Sequence, residues 1–307
     1  MKYHYYRSIR DQKINKVSEL KKGAWIFAHT VDADEMKELI DYGFDEALLE
    51  DATDYFEVPR FEYENGINYL YTRYIIDTKD GELSTAPLLI AISETNVLTL
   101  SPRKPEFLDD FAHGRKDITT TQKNKMVLTF LESIMHDYHK SIMQIRRLML
   151  RYFADVGNIS EQEMKRFVGL ESTLADYISA LAPTNLALSM MLTRHKSLTL
   201  HEEDIELLED LKQDINQLLE SSKSVSKTIG NIRSAHEGIL THKLNLTIKT
   251  LTMVTITLTV PTLITSFFGM NTWLPFDNGP VGFVVVIILI ALVTFGVLKW
   301  LMKNYWK

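Results

Sequence analysis

The stretch from Thr250 to Phe276 reads TLTMVTITLTVPTLITSFFGMNTWLPF and holds no charged residue. A second uncharged run, NGPVGFVVVIILIALVTFGVL, extends from Asn278 to Leu298. A hydrocarbon core about 30 Å thick takes roughly 20 helical residues, so each run predicts one membrane span. The link between them, about 271–280, is short, which makes the pair a hairpin. Lys243 and Lys249 precede the first span, Lys299, Lys303 and Lys307 follow the second, and the link carries Asp277 with no Lys or Arg. Basic residues stay on the cytoplasmic side, so both termini are expected in the cytoplasm and the link outside. Trp273, Trp300, Tyr305 and Trp306 stand where interfacial aromatic belts form.

Along the first span, Asn245, Ile248, Thr252, Thr255, Thr259, Thr262 and Ser266 recur at alternating intervals of three and four, which puts them on one helical stripe. Six of the seven are polar, whereas Met253, Val254, Ile256, Leu258, Val260 and Leu263 fall largely elsewhere. Lipid cannot satisfy polar groups, so the stripe faces either a water-filled path or a neighbouring helix. Hydroxyls that bond back to their own helix, or glue helices together, are the other reading. The asparagine at its start and Gly269-Met270-Asn271 at its end favour a lining role. Two helices enclose nothing, so a pore needs several copies of the chain around an axis.

Working back from the hairpin, no proline lies between Pro183 and Pro261, and one helix is expected from about His201 into the membrane. Ile205, Leu208, Leu211, Ile215, Leu218, Val225, Ile229, Ile232 and Ile239 keep a heptad-like rhythm, with Ser222 and His236 in the gaps. From His201 to Phe268 such a helix measures roughly 100 Å, a rod that can carry movement to the membrane. Before it, residues 106–200 read as helical. Val127, Phe130, Leu131 and Ile134 mark a helix from Lys123 to about Asp155. Ser160 and Glu163 form a capping box for a second helix ending before Pro183. A third, shorter helix is expected from Thr184 to His195.

Residues 1–105 read as a mixed α/β domain. Trp25 to Ala28 is a short apolar strand, and Asp34 to Tyr42 is an acid-started helix closed by Gly43. Phe61 to Tyr74 folds as a hairpin about Asn65-Gly66, Asp80-Gly81 marks another turn, and Leu88 to Ser93 with Val97 to Leu100 a further hairpin. The whole reads as an α/β cytoplasmic domain, a long helical stalk and a two-helix transmembrane hairpin. Its parts are 1–105, 106–200, a stalk and first span over 201–271 (membrane part about 246–268), an external loop 272–280, a second span 281–302 and a basic tail 303–307.

In 307 residues there is no cysteine, which excludes disulfides and thiolate metal sites. The net charge of −6 suits cations and argues against nucleic acid as partner. Met1 to Arg7 has no apolar segment, so no signal peptide is expected. No P-loop, His-Glu-x-x-His or nucleophile elbow is present; neither catalysis nor ATP hydrolysis is expected.

An aromatic residue before Gly-Met-Asn, closing the first span of a C-terminal hairpin, resembles the signature of the CorA family of divalent-cation channels. The resemblance implies a funnel-shaped homopentamer in the cell membrane, with the first span lining the pore and the second outside it. It makes Gly269, Met270 and Asn271 the selectivity filter. Mg²⁺ dehydrates reluctantly, and a ring of Asn271 amides can grip its coordinated waters without a deep well; a helix C-cap is the plainer role for the same motif. It places Asn245 at the cytoplasmic entrance and Ile248 and Leu251 at a hydrophobic gate, Leu251 lying beside the stripe. Phe268 replaces the tyrosine common in the family, and Asp277 is the only acid in the loop. Among Glu202, Glu203, Asp204, Glu206, Glu209, Asp210 and Asp214, the resemblance makes Asp210 the first candidate for a regulatory intersubunit Mg²⁺ site, with Glu206, Glu209 and Asp214 in reserve; a solvated face at a helix N-terminus is the alternative. His136 and His139, three apart, form half of a metal site at most. Mg²⁺ uptake is the expected function, with Co²⁺, Ni²⁺ or Zn²⁺ as other cargo. The rivals are a zinc exporter of the same superfamily and a membrane-anchored sensor or scaffold.

Overall fold

The structure, a computed structural model, describes residues 1–78, 83–153, 156–194, 198–270 and 279–305. Asp80-Gly81, His195, Asn271 and the link with Trp273 and Asp277, together with Trp306 and Lys307, lie outside the described residues. The chain divides into two compact units, Met1–Arg233 and Ser234–Lys307.

The first unit is built on a seven-stranded sheet ordered β2-β1-β3-β7-β6-β5-β4. The strands are β1 (Lys2–Tyr6), β2 (Asn15–Val17), β3 (Trp25–His29), β4 (Arg60–Glu64), β5 (Ile67–Asp77), β6 (Leu83–Ile92) and β7 (Val97–Ser101). Among the described residues only β3 and β7 pair in parallel; the other neighbours are antiparallel. The turn between β4 and β5 has Asn65 at φ 51° and Gly66 at φ 82°, the double left-handed geometry that matches strand twist in a two-residue hairpin. Successive side chains point to opposite faces, and here both faces are covered. Ile26, Ala28, Tyr69 and Tyr71 join one core with Leu39 and Leu49 of α1 (Ala33–Asp41) and α2 (Glu46–Asp51). Trp25, Phe27, Leu70 and Tyr74 join the other, with Phe111 of α3 (Glu106–Ala112) and Phe130 of α4 (Lys123–Phe153). In that second core Trp25 stacks on Phe27 at 5.2 Å and donates its indole N–H to Thr99 Oγ1 at 2.9 Å.

Helix α5 (Glu161–Thr193) opens with the expected capping box: Glu163 N–H donates to Ser160 Oγ at 3.3 Å, and Ser160 N–H donates to Glu163 Oε2 at 2.8 Å. It does not stop before Pro183. The expected break and the separate helix from Thr184 are replaced by one helix with Pro183 inside it. An internal proline costs about 3 kcal/mol. Ala180, Leu181, Ala187, Leu188 and Met191 are all buried on both sides of it, and that packing outweighs the local penalty.

Helix α6 (Glu202–Phe268) is 67 residues long and contributes to both units. In the first unit Leu208, Leu211, Ile215, Leu218, Ser222, Val225, Ile229 and Ile232 are buried in 3-4 alternation. Ser222 fits an apolar seam because its hydroxyl donates to the Leu218 carbonyl at 2.8 Å. Asn185 to Asn216 at 2.8 Å and Arg233 to Glu171 at 3.1 Å tie α6 to α5. The second unit holds the rest of α6 and α7 (Gly279–Tyr305), both long and apolar enough to cross a membrane.

Candidate functional site

Within the second unit, exposure separates the faces of α6. Met253, Ile256, Thr257, Val260, Pro261, Ile264 and Phe268 are half-buried, at helical intervals of three and four. Met253 and Ile256 meet Trp300 and Leu301 of α7 across a common groove. On α7 the covered positions are Gly282, Val286, Ile290, Thr294, Val297, Leu298 and Leu301, again one stripe. Asn245, Ile248, Thr252, Thr255, Thr259, Thr262 and Ser266 are all exposed. At 100° per residue Thr255, Thr259, Thr262 and Ser266 lie on the side of α6 turned away from α7, whereas Ile248 and Thr252 also border the groove shared with Trp300 and Leu301. Leu251, 65% exposed, stands one turn before Thr255 on the flank of the same face.

The stripe hydroxyls bond to their own helix. Thr252 donates to the Ile248 carbonyl at 2.8 Å, Thr255 to Leu251 at 2.9 Å, Thr259 to Thr255 at 2.8 Å and Thr262 to Leu258 at 2.7 Å. Back-bonding and lining, posed as alternatives from sequence, are compatible. A hydroxyl has one proton and two lone pairs; with the proton committed inward, what each threonine offers outward is an acceptor. The waters of a hydrated cation are donors.

At the end of α6, Gly269 N–H still bonds the Thr265 carbonyl at 3.0 Å, and Met270 N–H bonds that of Phe267 at 3.4 Å. Among the described residues the glycines with positive φ are Gly23, Gly43, Gly66 and Gly114. Gly269, just past the end of the helix, is thus not in the left-handed conformation. What its missing side chain provides is clearance, since a Cβ there would sit 3.3 Å from the Thr265 carbonyl oxygen. Met270 is 54% exposed.

The acidic run on α6 resolves into separate roles. Asp204 accepts the His201 N–H at 3.1 Å and so caps the start of the helix. Glu206 and Glu209 are exposed. Asp210 and Asp214 line a groove of about 680 Å³ that faces Glu132, His136 and His139 of α4. The histidine pair and the two carboxylates, unconnected in sequence, thus share one space. Glu132 was missed, although its spacing to His136 and His139 puts all three on one helical face. Asp137 lies in a different cleft with Asp77, Arg103 and Glu106, and burial raises its pKa. Among the described residues no three His, Asp or Glu side chains come close enough together to hold a metal ion.

Two apolar helices, one of them polar along the face it turns from the other, define an integral membrane protein with a surface meant for water or further helices. Residues 21–303 match the family model described as CorA-like Mg²⁺ transporter protein. The cobalt/magnesium transport protein CorA of Methanocaldococcus jannaschii is 26% identical over 301 residues, 93% of this chain and 92% of that protein. The complete structure of the CorA magnesium transporter from the same organism matches with a TM-score of 0.86 at 21% identity, covering 99% of this chain and 98% of the other. The full-length CmaX protein matches with a TM-score of 0.77 at 17% identity, over 98% and 96%. The chain belongs to the CorA family. It is a membrane-embedded transporter of divalent cations and not an enzyme.

Proposed function

We propose that several copies of this chain, five on the family pattern, form a channel for potential-driven Mg²⁺ uptake. Residues 1–105 and 106–200 form its cytoplasmic α/β and helical parts, and 201–271 the stalk and pore helix with its membrane part at about 246–268. The external loop is 272–280, the second span 281–302 and the basic tail 303–307, with both termini in the cytoplasm. The observation that carries this reading is the acceptor-presenting stripe on α6, whose Thr255, Thr259 and Thr262 lie on the face opposite α7. A membrane anchor has no need of it. Asn245 marks the cytoplasmic entrance, Ile248 and Leu251 the gate, and Thr252 to Ser266 the wall. Gly269, Met270 and Asn271 form the filter at the outer end.

Without a fuel, transport runs down the electrochemical gradient. A divalent ion crossing 100 mV gains about 4.6 kcal/mol, roughly a 2000-fold accumulation at equilibrium. Closure follows when cytosolic Mg²⁺ occupies a site between subunits that includes Asp210, with Asp214 beside it in the groove and Glu206 and Glu209 as outlying carboxylates. Co²⁺ is the second cargo, supported by the name of the Methanocaldococcus relative. The test is ion flux into proteoliposomes with the native chain and with Asn271→Ala. Potential-driven Mg²⁺ entry that disappears in the variant is the expected result. Equal entry through both, or no flux of any divalent ion through the folded native chain, overturns the proposal.

A further inference from the structure

We propose that the groove between α6 and α7, at the lysine-bearing end of the hairpin, is a binding site for an anionic phospholipid. The groove holds about 340 Å³, within the roughly 300–1,000 Å³ of small-molecule sites. Ile248, Met253 and Ile256 of α6 and Leu301 of α7 make most of its wall apolar, and Lys249 and Trp300 complete it. Thr252 also lines it, but its proton is committed to the Ile248 carbonyl at 2.8 Å. Lys249 is the one cationic donor among the lining residues.

Among the described residues, the charged side chains flanking the groove are lysines. Lys243, Lys249, Lys299 and Lys303 cluster at this end of the two helices, and α7 contains no acidic residue. On α6 the nearest carboxylate in sequence is Glu237, which the helical rise places about 18 Å from Lys249 along the axis. That exceeds the Debye length of about 8 Å at physiological salt. The position is equally specific: Lys249 immediately precedes the uncharged run, and Trp300 follows the second run by two residues. The groove thus straddles the boundary between hydrocarbon and headgroups. A soluble anion needs no apolar wall there and a neutral lipid needs no lysine; a phospholipid with net negative charge uses both. This inference rests on the two helices standing in a bilayer and is independent of which ion the chain conducts.

The test uses the full chain with Trp273→Phe and Trp306→Phe, leaving Trp300 beside the groove and Trp25, which is 0% exposed in the sheet core. The protein is reconstituted in phosphatidylcholine vesicles in which a minor fraction of the lipid carries brominated acyl chains under either a phosphatidylglycerol or a phosphatidylcholine headgroup. Brominated phosphatidylglycerol is expected to be enriched at Trp300 roughly fivefold over brominated phosphatidylcholine, the factor equivalent to one lysine–headgroup contact. Lys249→Gln, at an exposed side chain, removes that preference. Lys303→Gln makes the same change of charge outside the groove and retains it. Equal quenching by both headgroups overturns the proposal in favour of bulk lipid. Quenching by neither overturns it in favour of a protein cover such as a second copy of the chain. Loss of the preference in Lys303→Gln as in Lys249→Gln overturns it in favour of diffuse surface charge.

Discussion

Replacing Thr255 by valine removes an outward acceptor while leaving shape and helix intact. The Leu251 carbonyl loses the 2.9 Å hydroxyl bond, but it keeps the N–H that the helix supplies. Stability should change by no more than the about 0.5–1.5 kcal/mol of a single hydrogen bond. Conduction should change more, because in an assembly every copy loses the acceptor at the same level. If a ring of such hydroxyls holds two or three waters of the passing ion at about 1 kcal/mol each, the loss is about 2–3 kcal/mol, roughly 30- to 150-fold in rate. Thr257 provides an internal control. Its hydroxyl makes the same kind of bond, to Met253 at 2.7 Å, but it sits on the half-buried face. The assay is Mg²⁺ entry into proteoliposomes, with circular dichroism to confirm equal helicity. Thr255→Val should fall at least tenfold in flux, with Thr257→Val within twofold of native. Equal losses in the two variants, or no loss in Thr255→Val, would refute the assignment of the acceptor face to the ion path.

Three further outcomes are expected. Asp210→Asn should sustain flux at internal Mg²⁺ concentrations that close the native channel, which a titration of internal Mg²⁺ in the same vesicles reads directly. Ile229→Ala empties a 0% exposed position in the α6 seam and should destabilise the chain by about 2–5 kcal/mol, seen as a lower thermal midpoint in detergent. His4 and His29 are buried with an unpartnered ring nitrogen each, and burial lowers both pKa values in the folded state. The unfolded chain therefore binds their protons first, so stability is complete above the unfolded imidazole pKa and declines as pH falls below it. Thermal midpoints from pH 7.5 to pH 5.5 should drop, and less steeply in His29→Asn.

Much of this architecture could be read from the chain because the signals were local. Asn65-Gly66 demands its turn, Ser160 and Glu163 cap each other at three residues' distance, and the two uncharged runs announce themselves. The threonine stripe was legible for the same reason, since one period of 3.6 relates all its members. What escaped the reading was set by partners distant in sequence. The Pro183 break is overruled by burial of Ala180, Leu181 and Leu188, which no window around the proline reveals. The parallel pairing of β3 with β7 joins Trp25 to Val97, and neither strand carries a mark of the other. The meeting of His136 and His139 with Asp210 and Asp214 across one groove depends on how α4 and α6 pack.

The inward commitment of the threonine protons also bears on the sign of charge that the face will tolerate. Chloride and phosphate are solvated by donors, and along Thr252, Thr255, Thr259 and Thr262 the donors are already taken by the helix carbonyls. An anion arriving there would meet only lone pairs and would have to keep its own water shell without help. On the proposed ion path, anion exclusion along this face would thus require no ionised side chain and would not vary with pH. It also leaves no fixed negative charge to bind a divalent cation too tightly to let it go.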